Sequence, residues 1–196
     1  MKEYLEATEI IDWQHPDIVN LASSLARGKV DLVAIAKACF EWVRDEIKHS
    51  CDYQMNPVTC LASEVLRHQT GYCYAKSHLL AALLRANQIP AGFCYQRLSI
   101  FGNSDQSGGA PFCLHGLNAV YLPEHGWYRM DARGNKQDVD AQFTPPQEQL
   151  AFKLNFAEEI DSDRIFAEPL DVVVQALQKY QQSDQLLANL PDLESI

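Results

Sequence analysis

The sequence predicts an α+β architecture, and three observations predict it. Between residues 16 and 87, apolar residues recur at helical spacing in four successive stretches. After Pro90 the texture changes to aromatic and β-branched runs broken by turn formers. The last third returns to helical spacing. Helices first, then an antiparallel meander, then helical ends is an α+β order, unlike the strand–helix alternation of parallel sheets.

Each element follows from local chemistry. "PDIVNLASSLARG" sets Ile18, Leu21, Ala22 and Leu25 on one face and closes at Gly28. "DLVAIAKACFEWVRDEIKHS" begins at Asp31, an N-cap residue, and places Leu32, Ile35, Ala36, Cys39, Val43 and Ile47 near one face. "ASEVLRHQTG" is a short helix stopped at Gly71. Tyr72 to Asn87 follows as a helix carrying Leu79, Leu80, Leu83 and Leu84. "GFCYQRLSIF" is a strand, "GNSDQSGGAP" a loop forming a flap or hairpin tip, and "FCLHGLNAVYL" a second strand. "PEHG" turns the chain into a third strand, "WYRMDARG". "DAQFTPPQEQLAF" reads as an irregular segment over the surface. "EPLDVVVQALQKYQ" is a helix with Pro169 near its start, and "DQLLANL" is another. The expectation is one domain over 1–196, with a core at about 30–140 and an irregular, helical extension at about 141–196.

Composition narrows the function classes. Sixteen basic against 26 acidic residues give a net charge of −10, which argues against a nucleic-acid partner. The stretch "MKEYLEATEIIDWQHPD" lacks the apolar run of a signal peptide, and no segment approaches the roughly 18 apolar residues of a membrane span. A cytoplasmic location and no membrane partner are expected. The six cysteines form no CxxC pair, so free thiols and no zinc site are expected. Asp138 and Asp140 in "DVDAQ" lack the ligand count and turn glycine of a calcium loop. No metal and no cofactor are assigned, and the oligomeric state is left open.

One cysteine stands apart. Cys73 sits behind Gly71 where a loop becomes a long apolar helix. A helix N-terminus offers unpaired N–H groups and the positive end of a dipole, which favour a thiolate and can also bind an oxyanion. Gly71 is expected to allow the tight turn. A thiolate needs a base, and the base needs an orienting acceptor. His78 lies five residues further along the helix, about 140° around it. His68 precedes the glycine. His115 lies in an apolar strand, and Asp131 ends the next strand, where cross-strand neighbours come within hydrogen-bond reach. Each residue also has a structural reading: a packed thiol, a satisfied core or surface histidine, a turn-forming aspartate. On the residues alone both readings stand. Cys94 and Cys113 are read as small apolar packing residues.

"TGYCYAKSHLLAALLRANQIPAGFCY" resembles the core of the transglutaminase-like superfamily: a glycine, a gap residue, the catalytic cysteine, an apolar helix, then "LLRAxGIPA" leading into a strand. "LHGLNAVYLPEHGWYRMDARGN" resembles that family's histidine strand, short turn and Trp-x-x-x-Asp strand. The resemblance runs from about Val58 to Asn135. It departs where the family often has an aromatic and a glutamate after the histidine, here Leu117 and Ala119, and where it often has Pro-Thr after the aspartate, here Ala132-Arg133. The resemblance implies a papain-like α+β fold, with the cysteine helix packed on an antiparallel sheet. It implies Cys73 as nucleophile, His115 as general base and acid, and Asp131 as orienting carboxylate. Gln69 is a candidate second oxyanion donor by proximity, and Tyr72 and Tyr74 either line an acyl pocket or pack. The implied chemistry is acyl transfer or hydrolysis through a thioester, on a peptide or small amide, by a peptidase or amidase. The alternatives are an acyltransferase of the arylamine N-acetyltransferase type and a non-catalytic binding module that keeps the fold.

Overall fold

The computed structural model describes residues 1–100 and 112–196. The loop expected over "GNSDQSGGAP" lies outside the described residues.

The helical half forms as its periodicity predicts. α1 (Pro16–Ala26) carries Pro16 in its first turn, where a missing N–H costs nothing. α2 (Leu32–Glu46) starts at Asp31, whose carboxylate accepts from the Ala34 N–H at 2.7 Å. A two-residue strand, β1 (Lys48–His49), then leads through α3 (Ser50–Tyr53) to α4 (Ala62–His68). β2 (Thr70–Gly71) pairs in parallel with β1, setting His49 opposite Gly71. α5 (Cys73–Ala86) is the central helix. It is buried on all sides from Cys73 to Arg85, so it holds the core between α1, α2, α4 and the sheet.

The sheet order is β5-β4-β3-β8. β3 (Ala91–Ser99) pairs antiparallel with β4 (Phe112–Leu122) along its whole length, from Ala91↔Val120 to Ser99↔Phe112. β5 (Gly126–Met130) pairs with the second half of β4, from Asn118↔Met130 to Leu122↔Gly126. The segment expected to be irregular instead holds a small hairpin, β6 (Gln142–Thr144) with β7 (Gln147–Gln149), and it is followed by β8 (Ile160–Asp161) on the outer edge of β3. Three-residue strands are too short to show a period, which is why the pattern reads as loop. α6 (Asp171–Lys179) and α7 (Ser183–Leu187) close the chain. Helices packed on one antiparallel sheet make this the α+β fold that the sequence predicts. Among the described residues, no helix is long and apolar enough to cross a membrane.

Candidate active site

Cys73 is the first residue of α5. The preceding Tyr72 is extended (φ −66°, ψ 166°), and its side chain makes no capping hydrogen bond to the helix. The first-turn N–H groups thus receive no acceptor from the N-cap side chain, and they end beside the thiol. The turn before Cys73 is made differently from the expectation. Gln69, not Gly71, takes the left-handed conformation (φ +56°). Gly71 is a strand residue whose missing side chain leaves room: a Cβ there would sit 3.1 Å from the Ala75 Cβ and 3.3 Å from the Thr59 Oγ1.

A second glycine lets the sheet approach. A Cβ on Gly116 would lie 2.9 Å from the Tyr74 Cδ1 and 3.3 Å from the Tyr74 Cα, so β4 can press on the first turn of α5 only because residue 116 has no side chain. Its neighbour His115 is carried with it. Cys73 and His115 line one cleft of about 310 Å³.

Asp131 follows the last paired residue of β5, and His115 lies three residues before Asn118, where the β4–β5 pairing begins. The carboxylate therefore reaches His115 diagonally rather than from directly opposite. The His115 Nε2 donates to Asp131 Oδ2 at 2.7 Å, with Asp131 fully buried. That leaves Nδ1 as the ring nitrogen for Cys73. Asp131 also accepts from the backbone N–H groups of Arg133 (3.1 Å) and Ala151 (3.1 Å). Burial would raise the carboxyl pKa. The His115 charge, its hydrogen bond and these two N–H groups outweigh burial and hold Asp131 below the usual carboxylate range. Burial would lower the His115 pKa, but the charges of Asp131 and Cys73 and hydrogen bonding to both push it up to about 10.

Of the other sequence candidates, His68, His78 and Gln69 lie elsewhere. His68 bonds with Arg67 at 2.9 Å and lines a separate hollow with Pro57 and Leu61. His78 points into the core, where its Nδ1 donates to the Cys60 carbonyl at 2.7 Å and its ring meets Phe93 edge-on. Gln69 is exposed and donates to Leu66 O of the preceding helix, outside the cleft. Tyr72 and Tyr74 do both things expected of them: they line the cleft, and their hydroxyls donate to the carbonyls of Ser183 and Leu114. Cys94 packs under the sheet, but Cys113 is only half-buried and lines the cleft. Burial pushes Cys39, Cys60, Cys94 and Cys113 up to about 12, and raises Cys51. Among the described residues, no group of three His, Cys, Asp or Glu side chains could hold a metal ion.

Sequence reasoning missed four contributors. His49 lines the cleft from β1, with its ring edge-on to Tyr72 at 5.4 Å. Among the described residues its Nδ1 makes no hydrogen bond and lies 3.8 Å from Asp52, while burial and the nearby Arg133 charge hold its pKa well below the usual value. A two-residue strand gives no periodic signal that could have found it. Phe152 packs edge-on against His115 at 4.9 Å, and Arg133 stands over Phe152 while its guanidinium bonds both oxygens of Asp52. The Ala151 N–H is a backbone group and leaves no mark in residue type.

The sequence profile of the transglutaminase-like superfamily matches residues 19–132, more than half of the chain. No curated protein matches it. Among solved structures, the chain is similar to one from Cytophaga hutchinsonii named a "putative cysteine protease", with 18% identity and a TM-score of 0.51 over 66% of this chain and 40% of that one. It is also similar to the periplasmic domain of TgpA from Pseudomonas aeruginosa, with 20% identity and a TM-score of 0.47 over 66% and 45% of the two chains. Red sea bream transglutaminase follows, with 10% identity and a TM-score of 0.46 over 62% and 27%. The chain spans less than half of each of these proteins.

Proposed function

The chain belongs to the transglutaminase-like superfamily, and from that premise we propose that it is a cysteine-dependent peptidase or amidase working through Cys73, His115 and Asp131. The observation that carries this reading is the buried His115–Asp131 pair, 2.7 Å apart, whose histidine lines the same cleft as a thiol at a helix N-terminus. The imidazolium of His115 pairs with the Cys73 thiolate. The thiolate attacks an amide carbonyl, and the oxygen that gains charge is met by the first-turn N–H groups of α5. His49, buried in the cleft lining with its Nδ1 unengaged among the described residues, is the polar side chain proposed as a second donor. As the C–N bond breaks, His115 gives its proton to the leaving amine, and a thioester remains on Cys73. Water then attacks the thioester, His115 takes the water's proton, and the acid and the thiolate are released. Asp131 holds the ring orientation and stabilises its charged form throughout.

The substrate class is a peptide or small amide, and the six unbridged cysteines suit the reducing cytoplasm. Incubation with a chromogenic amide or thioester under acid quench, followed by mass spectrometry, tests the reading. An acyl mass added on Cys73, absent after Cys73→Ala, is the expected result. Acylation of a different thiol, or of none across amide and thioester probes, contradicts it.

A further inference from the structure

Part of the cleft lining is supplied by a stretch of chain that the proposed reaction does not use. We propose that residues 183–192 form the specificity wall of this site, with Leu187 and Leu190 as the determining residues, and that the acyl group they select carries an apolar side chain. This deepens the reading above and rests on Cys73 being the reacting thiol.

The segment is tied to both sides of the site. On the helix side, the Tyr72 hydroxyl donates to the Ser183 carbonyl at 2.5 Å, and the Ser183 N–H donates to Asn56 Oδ1 at 2.7 Å. On the strand side, the N–H of Leu114, the residue before His115, donates to the Pro191 carbonyl at 2.8 Å. The Arg97 guanidinium then grips both oxygens of Asp192 at 2.7 Å each. Tyr72 precedes the nucleophile and Leu114 precedes the proposed base, so the segment spans the cleft between the two catalytic elements.

Within it, α7 divides its leucines. Leu186 is fully buried in the core, whereas Leu187 is 47% exposed and lines the cleft, joined there by Leu190. Ile100, another exposed large apolar side chain, opens onto the same cleft from the end of β3. Apolar side chains left exposed together beside a reactive group are a binding surface rather than scatter. The charged groups there are mostly engaged. Arg133 is held by Asp52. Glu159 accepts from the backbone N–H groups of Ser99, Asn155 and Phe156. Lys153 is an exposed rim residue. Among the described residues, the only charged groups of the lining left facing the cleft interior are those of the proposed Cys73–His115 pair, which are matched to each other, and burying an apolar acyl side chain removes its surface and that of Leu187 and Leu190 from water.

Two readouts test this on the full chain. Labelling of Cys73 by iodoacetamide and by N-benzyl iodoacetamide is compared, each normalised to its rate with glutathione and mapped by peptide mass. The benzyl reagent is expected to be favoured about tenfold, the scale of one apolar group in an apolar pocket. That preference is expected to vanish in Leu187→Glu and Leu190→Glu and to persist in Val30→Glu, an exposed valine outside the cleft. Leu187→Ala and Leu190→Ala serve if a charged variant fails to fold, with a smaller loss. In turnover, leucyl and phenylalanyl amides should exceed aspartyl amides in kcat/KM, and the leucine variants should raise KM for the apolar donors while leaving glycyl donors unchanged. Absence of a benzyl preference, or its persistence in both leucine variants, overturns the inference even if the protein turns substrate over. A preference seen without turnover removes the hydrolase reading and leaves the specificity wall standing.

Discussion

At its first residue α5 receives no side-chain cap and sets a thiol against a cleft, whereas its last turn is closed on itself. At that far end Arg85, fully buried, donates to the carbonyls of Glu6, Ala91 and Ala167. Asn87 donates to the carbonyls of Ala22 and Leu83. Gln88 turns left-handed (φ +59°), and the N–H groups of Gln88 and Ile89 return to the carbonyls of Arg85 and Leu84. The difference teaches where to look for chemistry. A helix end whose polar groups are consumed locally is structure, while an end left open beside a buried charge pair is where a reacting oxygen can be met. Two buried histidines repeat the lesson. Burial lowers His78, whose one partner is a carbonyl, to about 4, and Asp131 and Cys73 override burial at His115 and raise it to about 10.

The comparison breaks most visibly at the open end. Cys73→Ala should abolish turnover on any amide found while the far-ultraviolet dichroism stays unchanged, because alanine keeps most of the packing of this small buried side chain and removes the proposed nucleophile. Turnover that survives would move the reaction to another group. Asp131→Asn keeps the shape and removes the charge. Turnover should fall by about 10⁴, and NMR titration should show the His115 pKa dropping from near 10. An unchanged pKa would reduce Asp131 to a turn residue.

At the closed end the expected loss is in stability alone. Arg85→Met removes the donor from three carbonyls, in a buried contact to Ala91 and part-buried contacts to Glu6 and Ala167, and should cost about 3 kcal/mol in urea unfolding, with kcat per folded molecule unaltered. A fall in kcat at full folding would mean the two ends are coupled.

The histidines separate by pH. The folded pKa of His115 lies above its unfolded value of 6.5, so its contribution is fully present below pH 6.5 and is lost as pH rises towards 10. His78 is shifted the other way, so stability falls as pH drops from 6.5 towards 4. His115→Gln should flatten the alkaline limb of the stability profile and His78→Gln the acid limb; the opposite assignment would invert the account of what surrounds each ring. The smallest effect belongs to Gln88→Gly, which places the residue suited to a left-handed C-cap and should add about 0.5 kcal/mol. A loss there would mean that the Gln88 side chain contributes more than its backbone strain costs.

Much of this was legible in the sequence because long periodic elements carry their own signal. The boundaries of β4 coincide with "FCLHGLNAVYL", Asp31 caps α2 as its residue type suggests, and α5 begins at the cysteine that stood out. What was not legible is set by backbone groups, short pairings and distance along the chain. The Ala151 N–H on Asp131 has no residue-type signature, and the β6–β7 hairpin that precedes it is too brief to show alternation. His49 reaches the cleft through a pairing of two residues. Residues 183–192 are tied to it by distant pairings, 111 residues apart at Tyr72–Ser183 and 95 at Arg97–Asp192, through carbonyls and one ion pair. Gly71 was read as a turn residue because a glycine's two uses, positive φ and close packing, look alike in sequence; only its neighbours Ala75 and Thr59 separate them.

The central claim is that the open end of α5 holds a thiol activated by His115. It is tested most directly by limiting iodoacetamide on the native protein, with all six cysteines quantified by peptide mapping in the parent, in His115→Ala and in His78→Gln. The account predicts that Cys73 labels first by a wide margin, that His115→Ala slows it at least about tenfold at pH 7, and that His78→Gln leaves it unchanged. Preferential labelling of Cys51 or Cys113, or a Cys73 rate indifferent to His115, would contradict it.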